Sequence, residues 1–116
     1  MLPAAFRLRR SDTIATVVRT GIHFTTPYVR IHALVDPQSL NSRIACVVGR
    51  KVHSSSVQRH RYQRWLREGA AELLPHLKKA YDIVLVARSS ITAVSSLAQL
   101  QETLKDIPNQ LDKHSV

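Results

Sequence analysis

Four arginines and one histidine fall within a short run of this chain, Arg59-His60-Arg61-Tyr62-Gln63-Arg64-Trp65-Leu66-Arg67. Placed at 100° per residue, His60, Arg61, Arg64 and Arg67 share one side of a helix, while Tyr62, Trp65, Leu66, Gly69, Ala70 and Leu73 share the other. The second side is fit to pack and the first to stay wet. A guanidinium carries a planar fork of donors that matches two phosphate oxygens, so the chemistry indicated is phosphate recognition. An ordinary solvated face would intersperse acids among these cations, yet Glu68 is the only acid nearby. Arg59 lies toward the apolar flank, where it suits bracing of a loop as well as contact with a phosphate. Trp65 belongs to the packing side. Upstream, Arg50 and Lys51 follow Gly49 and extend the same positive charge.

Bond-breaking chemistry is harder to build from these residues. The histidines, His23, His32, His53, His60, His76 and His114, include no pair at i, i+4 and no accompanying acid-histidine signature, so no catalytic metal site is expected. Ser54, Ser55 and Ser56 read as cap and loop residues, without the context of a nucleophile. Cys46 lies inside Ile44-Ala45-Cys46-Val47-Val48 and reads as a small buried hydrophobe. The glycine fingerprints of dinucleotide and phosphate-loop folds are absent, since Gly21, Gly49 and Gly69 stand far apart. No catalytic residue and no protein-bound cofactor is assigned.

The elements that must hold the cationic face follow from periodicity. Ser11 and Asp12 open a short helix over residues 12–20, with Ile14, Val17 and Val18 as its apolar stripe and Gly21 as its C′ stop. Residues 28–35 alternate: Val29, Ile31 and Ala33 point one way, and Tyr28, Arg30 and His32 the other, giving a strand with one wet or ligand-facing side. Asp36-Pro37-Gln38-Ser39 turns the chain into a second strand over 43–48, expected to lie antiparallel to the first. The arginine helix then runs over about 57–74 to Pro75. Residues 82–88 hold a continuous apolar run that reads as a central strand in parallel pairing after a helical crossover. A last helix over 96–107, with Leu97, Leu100 and Leu104, ends at Pro108 and leaves a polar tail at 109–116. Helix, strand, strand, helix, strand, helix predicts an α/β class fold, an α+β two-layer sandwich in which helices pack on a mixed sheet. Residues 1–108 are expected to form a single domain.

Composition agrees with one domain and a polyanionic partner. The 116 residues are 44% hydrophobic, so a core is affordable, while 17 Lys and Arg against 8 Asp and Glu give a formal charge of +9. A single cysteine and the lack of an apolar run near the roughly 18 residues of a membrane span point to a reducing, cytoplasmic setting and no membrane partner.

Four ordered blocks resemble the bacterial ribonuclease P protein: Phe6-Arg7-Leu8-Arg9-Arg10, Gly49-Arg50-Lys51-Val52, the helix from Gln58 to Glu68, and Asp82-Ile83-Val84-Leu85-Val86-Ala87-Arg88. The chain departs from that pattern at His60, where the family has Asn, and at Gln63, where it usually has Lys. The resemblance implies a ribonuclease P protein-like, ribosomal-protein-like sandwich with a left-handed crossover between parallel strands, against the general rule of handedness. It implies an accessory subunit of a ribonucleoprotein endoribonuclease, in which the catalytic RNA subunit cleaves precursor tRNA with Mg2+ to form the mature 5′ end. Arg50, Lys51, Arg59, His60, Arg61, Arg64, Arg67 and Arg88 are then the RNA-binding set. The family lines a leader-binding cleft with aromatics; the positions that match here are Ile14, Val18 and His32, with Arg30 on the same strand face. Two other readings fit the charge. A general ribosomal-type RNA-binding module needs no ordered blocks, and a membrane-surface helix over 57–74 would have to pull Tyr62, Trp65, Leu66 and Leu73 out of the core.

Overall fold

The computed structural model describes residues 4–36, 41–77 and 79–114. In chain order they form α1 (Ser11–Thr20), β1 (Ile22–Thr25), β2 (Val29–Val35), β3 (Arg43–Val47), α2 (Ser56–Leu73), β4 (Tyr81–Ala87), α3 (Leu97–Leu104) and α4 (Ile107–His114). Most of the turn expected at Asp36-Pro37-Gln38-Ser39 lies outside the described residues.

The strands make one mixed sheet in the order β1-β2-β4-β3. The expected β2–β3 hairpin is therefore absent: β4 enters between them, antiparallel to β2 and parallel to β3. Its uninterrupted apolar run is the reason, because only a strand flanked on both edges and covered on both faces buries every side chain. β1 went unread. It is only four residues long and follows α1 directly, and it pairs with β2 through His23 opposite His32 and Phe24 opposite Ile31.

The expected sandwich is present, with its main core on one face of the sheet. Val29, Ile31, Ile44, Ile83 and Leu85 meet Tyr62, Leu66, Ala70 and Leu73 of α2, Leu100 and Leu104 of α3, and Ile107 and Leu111 of α4. On the other face α1 covers a patch with Val17 over Ala45 and Val84, joined by Leu8. Ser55 caps α2 by accepting from the Gln58 N–H.

Two details correct the helix ends. Gly21 is not a left-handed stop, since its φ is −74°; a Cβ there would lie 2.5 Å from the Ala33 carbonyl oxygen and 2.6 Å from that of Val17. Glycine is needed for close approach of α1 to β2. The polar tail set at residue 109 is a helix as far as His114, and Leu111 within it is fully buried. Pro108 opens this helix because an N-terminal turn needs no intrahelical N–H there. The Asp106 carboxylate accepts from the side-chain amides of Asn109 and Gln110 at its start.

Candidate nucleic-acid interface

Helix α2 is seated by Tyr62, Leu66, Gly69, Ala70 and Leu73, all buried, so its opposite side must face water. His60, Arg61 and Arg64 are exposed and Arg67 is half-buried. The Arg61 guanidinium lies over the Trp65 ring at 4.7 Å from its centroid, and Trp65 packs edge-on against Tyr62. That contact orients Arg61 without neutralising it. Arg64 and Arg67 form no salt bridge with the described residues, which leaves their charge to an outside partner. The Gln63 amide, at the position of the family Lys, donates to the Cys46 carbonyl at 3.0 Å and ties α2 to the end of β3.

The loop leading into α2 presents Arg50 and Lys51, both exposed. Arg59 belongs with this loop: its guanidinium donates to the carbonyls of His53 and Ser54, each at 2.9 Å. Arg88, just past β4, donates to the Thr26 carbonyl at 2.9 Å and fixes the β1–β2 turn. Both arginines thus hold backbone, a role set by distance and not by helical periodicity.

The sheet face that carries α1 is only partly covered. Its open end is a row formed by Thr25, Arg30, Val86 and Val47, as the strand register requires. Arg30 is exposed there, Val18 of α1 is 41% exposed, and Ile14 packs beside Val86 at the edge of the covered patch. The next row holds His23, His32, Val84 and Ala45. His32 is only 7% exposed, and neither ring nitrogen has a partner among the described residues. It stacks on His23, ring centroids 6.0 Å apart, and His23 is the exposed member of the pair. His23 was missed because β1 was missed; the alternation Ile22, Phe24 against His23, Thr25 was its signal.

Burial, and then the charge of Arg30 and the neighbouring His23, holds His32 below the ordinary imidazole range. The unfolded ring, titrating near 6.5, takes up its proton first. Stability due to the neutral ring is therefore complete above that value and is lost as pH falls from about 6.5 through the lower folded value. Urea unfolding between about pH 7.5 and about pH 5 is expected to show this loss, and His32→Leu to remove part of it. An equal loss in both proteins would place its origin elsewhere.

At the far end of the sheet Arg43 grips Asp82 through two bonds, Nε to Oδ1 at 3.0 Å and Nη2 to Oδ2 at 2.9 Å, with Asp36 at 3.6 Å from Nη2. Arg43 and Asp82 are register partners of β3 and β4, so this pair is structural. Burial pushes the Cys46 thiol up to about 12, which leaves it inert as a nucleophile. No group of three or more His, Cys, Asp or Glu that could hold a metal ion occurs among the described residues. No described helix is long and apolar enough to cross a membrane, and the packing side of α2 is buried in the core.

An arginine-faced helix beside a half-open sheet face, on one mixed α+β sheet, defines a small RNA-binding protein. The chain belongs to the ribonuclease P protein family, whose model, Ribonuclease P, matches residues 2–112. Membership makes it a protein subunit of an endoribonuclease of tRNA processing. It is 35% identical over 116 residues to the ribonuclease P protein component of a Pseudanabaena species, covering 100% of this chain and 97% of that one. It is 36% identical over 115 residues to the component from Mycolicibacterium paratuberculosis, covering 93% and 96% respectively. The fold is similar to a Staphylococcus aureus RNase P protein mutant with defective mRNA degradation activity, at TM-score 0.82 and 18% identity over 93% of this chain and 89% of that one. It is also similar to the RNase P protein from Thermotoga maritima, at TM-score 0.77 and 22% identity over 90% and 96%.

Proposed function

We propose that this chain serves a catalytic RNA from the cytoplasm, binding that RNA through α2 and the preceding loop and the 5′ leader of precursor tRNA through the open sheet face. The observation that carries the reading is the separation of two surfaces on one rigid sheet. Arg50, Lys51, His60, Arg61, Arg64 and Arg67 form the first, with Arg59 shaping its loop. Ile14, Val18 and Arg30 form the second, with Arg88 fixing the turn at its rim, whereas His32, expected in this set, is buried in the next row under His23 and offers no ring nitrogen to a leader. Two polyanions that dock side by side repel each other, and arginines set against their phosphates lower that repulsion while releasing counterions. Phosphodiester hydrolysis belongs to the RNA, which supplies the site for Mg2+. An arginine surface has no oxygen donors for that ion, and Asp82 is engaged by Arg43.

The leader surface is aliphatic where the family pattern is aromatic. Ile14 and Val18 can cover a base but have no π face, so leader discrimination is modest. Dissociation constants of the holoenzyme for precursor and mature tRNA test this surface: Ile14→Phe with Val18→Phe should widen their ratio. An unchanged ratio in the folded variant would remove the face from the leader site. Arg64→Ala and Arg67→Ala should each reduce the slope of log affinity for the catalytic RNA against log salt by about one unit. Wild-type slopes would return those arginines to the solvent.

A further inference from the structure

Two imidazoles stand directly opposite each other on β1 and β2. His23 and His32 are register partners, so both rings rise from one face of the sheet, and cross-strand neighbours of this kind hold their Cβ atoms about 4.5–5.5 Å apart. His32 is 7% exposed, and neither of its ring nitrogens has a hydrogen-bond partner. An imidazole enclosed in that state is costly, because its nitrogens have given up water and gained nothing in return. The ring stacked on it belongs to His23, with centroids 6.0 Å apart, and His23 is exposed. The row of this pair runs on into Val84 and Ala45, and the row beside it holds Thr25, Arg30, Val86 and Val47. In these two rows the imidazoles are the only side-chain nitrogens that carry a lone pair.

We propose that His23 and His32 form a two-imidazole site for a divalent transition-metal ion of the zinc, nickel and copper class. Such an ion bonds imidazole nitrogen at about 2.0–2.1 Å, and a tetrahedral angle then sets the two nitrogens about 3.3 Å apart and the ring centres about 5 Å apart. The present 6.0 Å separation lies within about one ångström of that, and a turn of the exposed His23 ring closes the difference. Burial, with Arg30 and His23 beside it, holds His32 toward the neutral form, which is the one that coordinates a metal. Arg30 also bears on the choice of ion. Mg2+ and Ca2+ bind through charge to oxygen ligands, which this pair lacks, whereas the dative bond from imidazole suits zinc, nickel and copper. A leader base is too large to pass beneath His23, but a single ion held by His23 itself is not, so the site stands apart from the leader reading. Water fills the remaining positions, and the ion pins β1, the shortest of the four strands, to β2.

The test uses the full chain without an affinity tag, in a buffer that does not bind metal, near about pH 7.5, where free imidazole is mostly neutral. Calorimetric titration with Zn2+ is expected to show one ion per chain, and about a hundredfold excess of Mg2+ should not displace it. His23→Asn should abolish binding, while His76→Asn, at an exposed histidine outside the sheet, should bind as wild type does. In urea, Zn2+ at about ten times its dissociation constant should raise the ratio of folded to unfolded chain about elevenfold in wild type and leave it unchanged in His23→Asn. His23→Cys gives an independent reading, because a thiolate then replaces one imidazole as ligand. That variant should bind Co2+ with a thiolate-to-cobalt absorption band. Wild type should show no such band, since Cys46 is buried and its thiol is pushed up to about 12. A wild type that takes up no Zn2+, or Zn2+ binding that survives His23→Asn undiminished, would overturn the assignment. So would displacement of Zn2+ by Mg2+, or a His23→Cys variant that binds Co2+ without the band.

Discussion

Mixed with 5′-labelled precursor tRNA and magnesium but no RNA subunit, the purified chain is expected to release no leader. Three buried groups that could act as nucleophile, base or acid are each engaged or enclosed. The Cys46 thiol is buried, Asp82 is held by two hydrogen bonds from Arg43, and His32 is enclosed with only another imidazole stacked on it. Addition of the cognate RNA at low magnesium should restore cleavage. Few divalent ions are then present to screen phosphate repulsion, so the arginines matter most in that range. The gain over RNA alone should be on the order of a hundredfold, the scale that a handful of phosphate contacts contributes at moderate salt. A denaturing gel resolves leader from mature tRNA. Leader released by the protein alone, above a nuclease-free control, would assign chemistry to the polypeptide and sink the proposed division of labour.

The largest stability effect is expected at Leu111, in the segment whose composition reads as a tail. Leu111 is fully buried and joins Ile107 in the main core. Leu111→Ala should cost about 2–5 kcal/mol, the range for a leucine removed from a packed interior. That is a large share of a net stability of about 5–15 kcal/mol. Lys113→Ala, on the exposed side of α4, should stay within about 0.5 kcal/mol. Urea unfolding of the two variants beside wild type decides the matter. A Leu111 variant as stable as the Lys113 variant would mean that α4 does not dock in solution.

What could be read from the residues was what periodicity records. Helix α2 and its two faces were legible because Tyr62, Leu66, Gly69, Ala70 and Leu73 repeat at helical spacing while the arginines fall between them. β4 was legible because an apolar run bounded by polar residues has few other uses. Pairing was not legible. β2 and β3 are near in sequence, so a hairpin was the short-range expectation, and it took the burial of both faces of β4 to place that strand between them. Position 108 misled for a related reason: proline stops one helix and starts the next, and only the spacing of Ile107 and Leu111 distinguishes the two. The α2 arginines were found from their face. The loop-holding roles of Arg59 and Arg88 were not, because they depend on distances to His53, Ser54 and Thr26. His23 and the Arg43 to Asp82 pair depend on strand register, to which no local pattern gives access.

The place of β4 in the sheet also orders events during synthesis. While a ribosome has released only the residues before Tyr81, β2 and β3 exist without the strand that joins them, and each presents an unpaired edge. Such edges pair readily with other chains, so the nascent polypeptide is most prone to aggregation in this interval. The partial sheet of β1 and β2 has no continuous core beneath it until β4 emerges with Ile83 and Leu85. Vectorial synthesis therefore withholds the sheet until the first three quarters of the chain, through Ala87, has emerged, and then a single strand joins β2 to β3 at once.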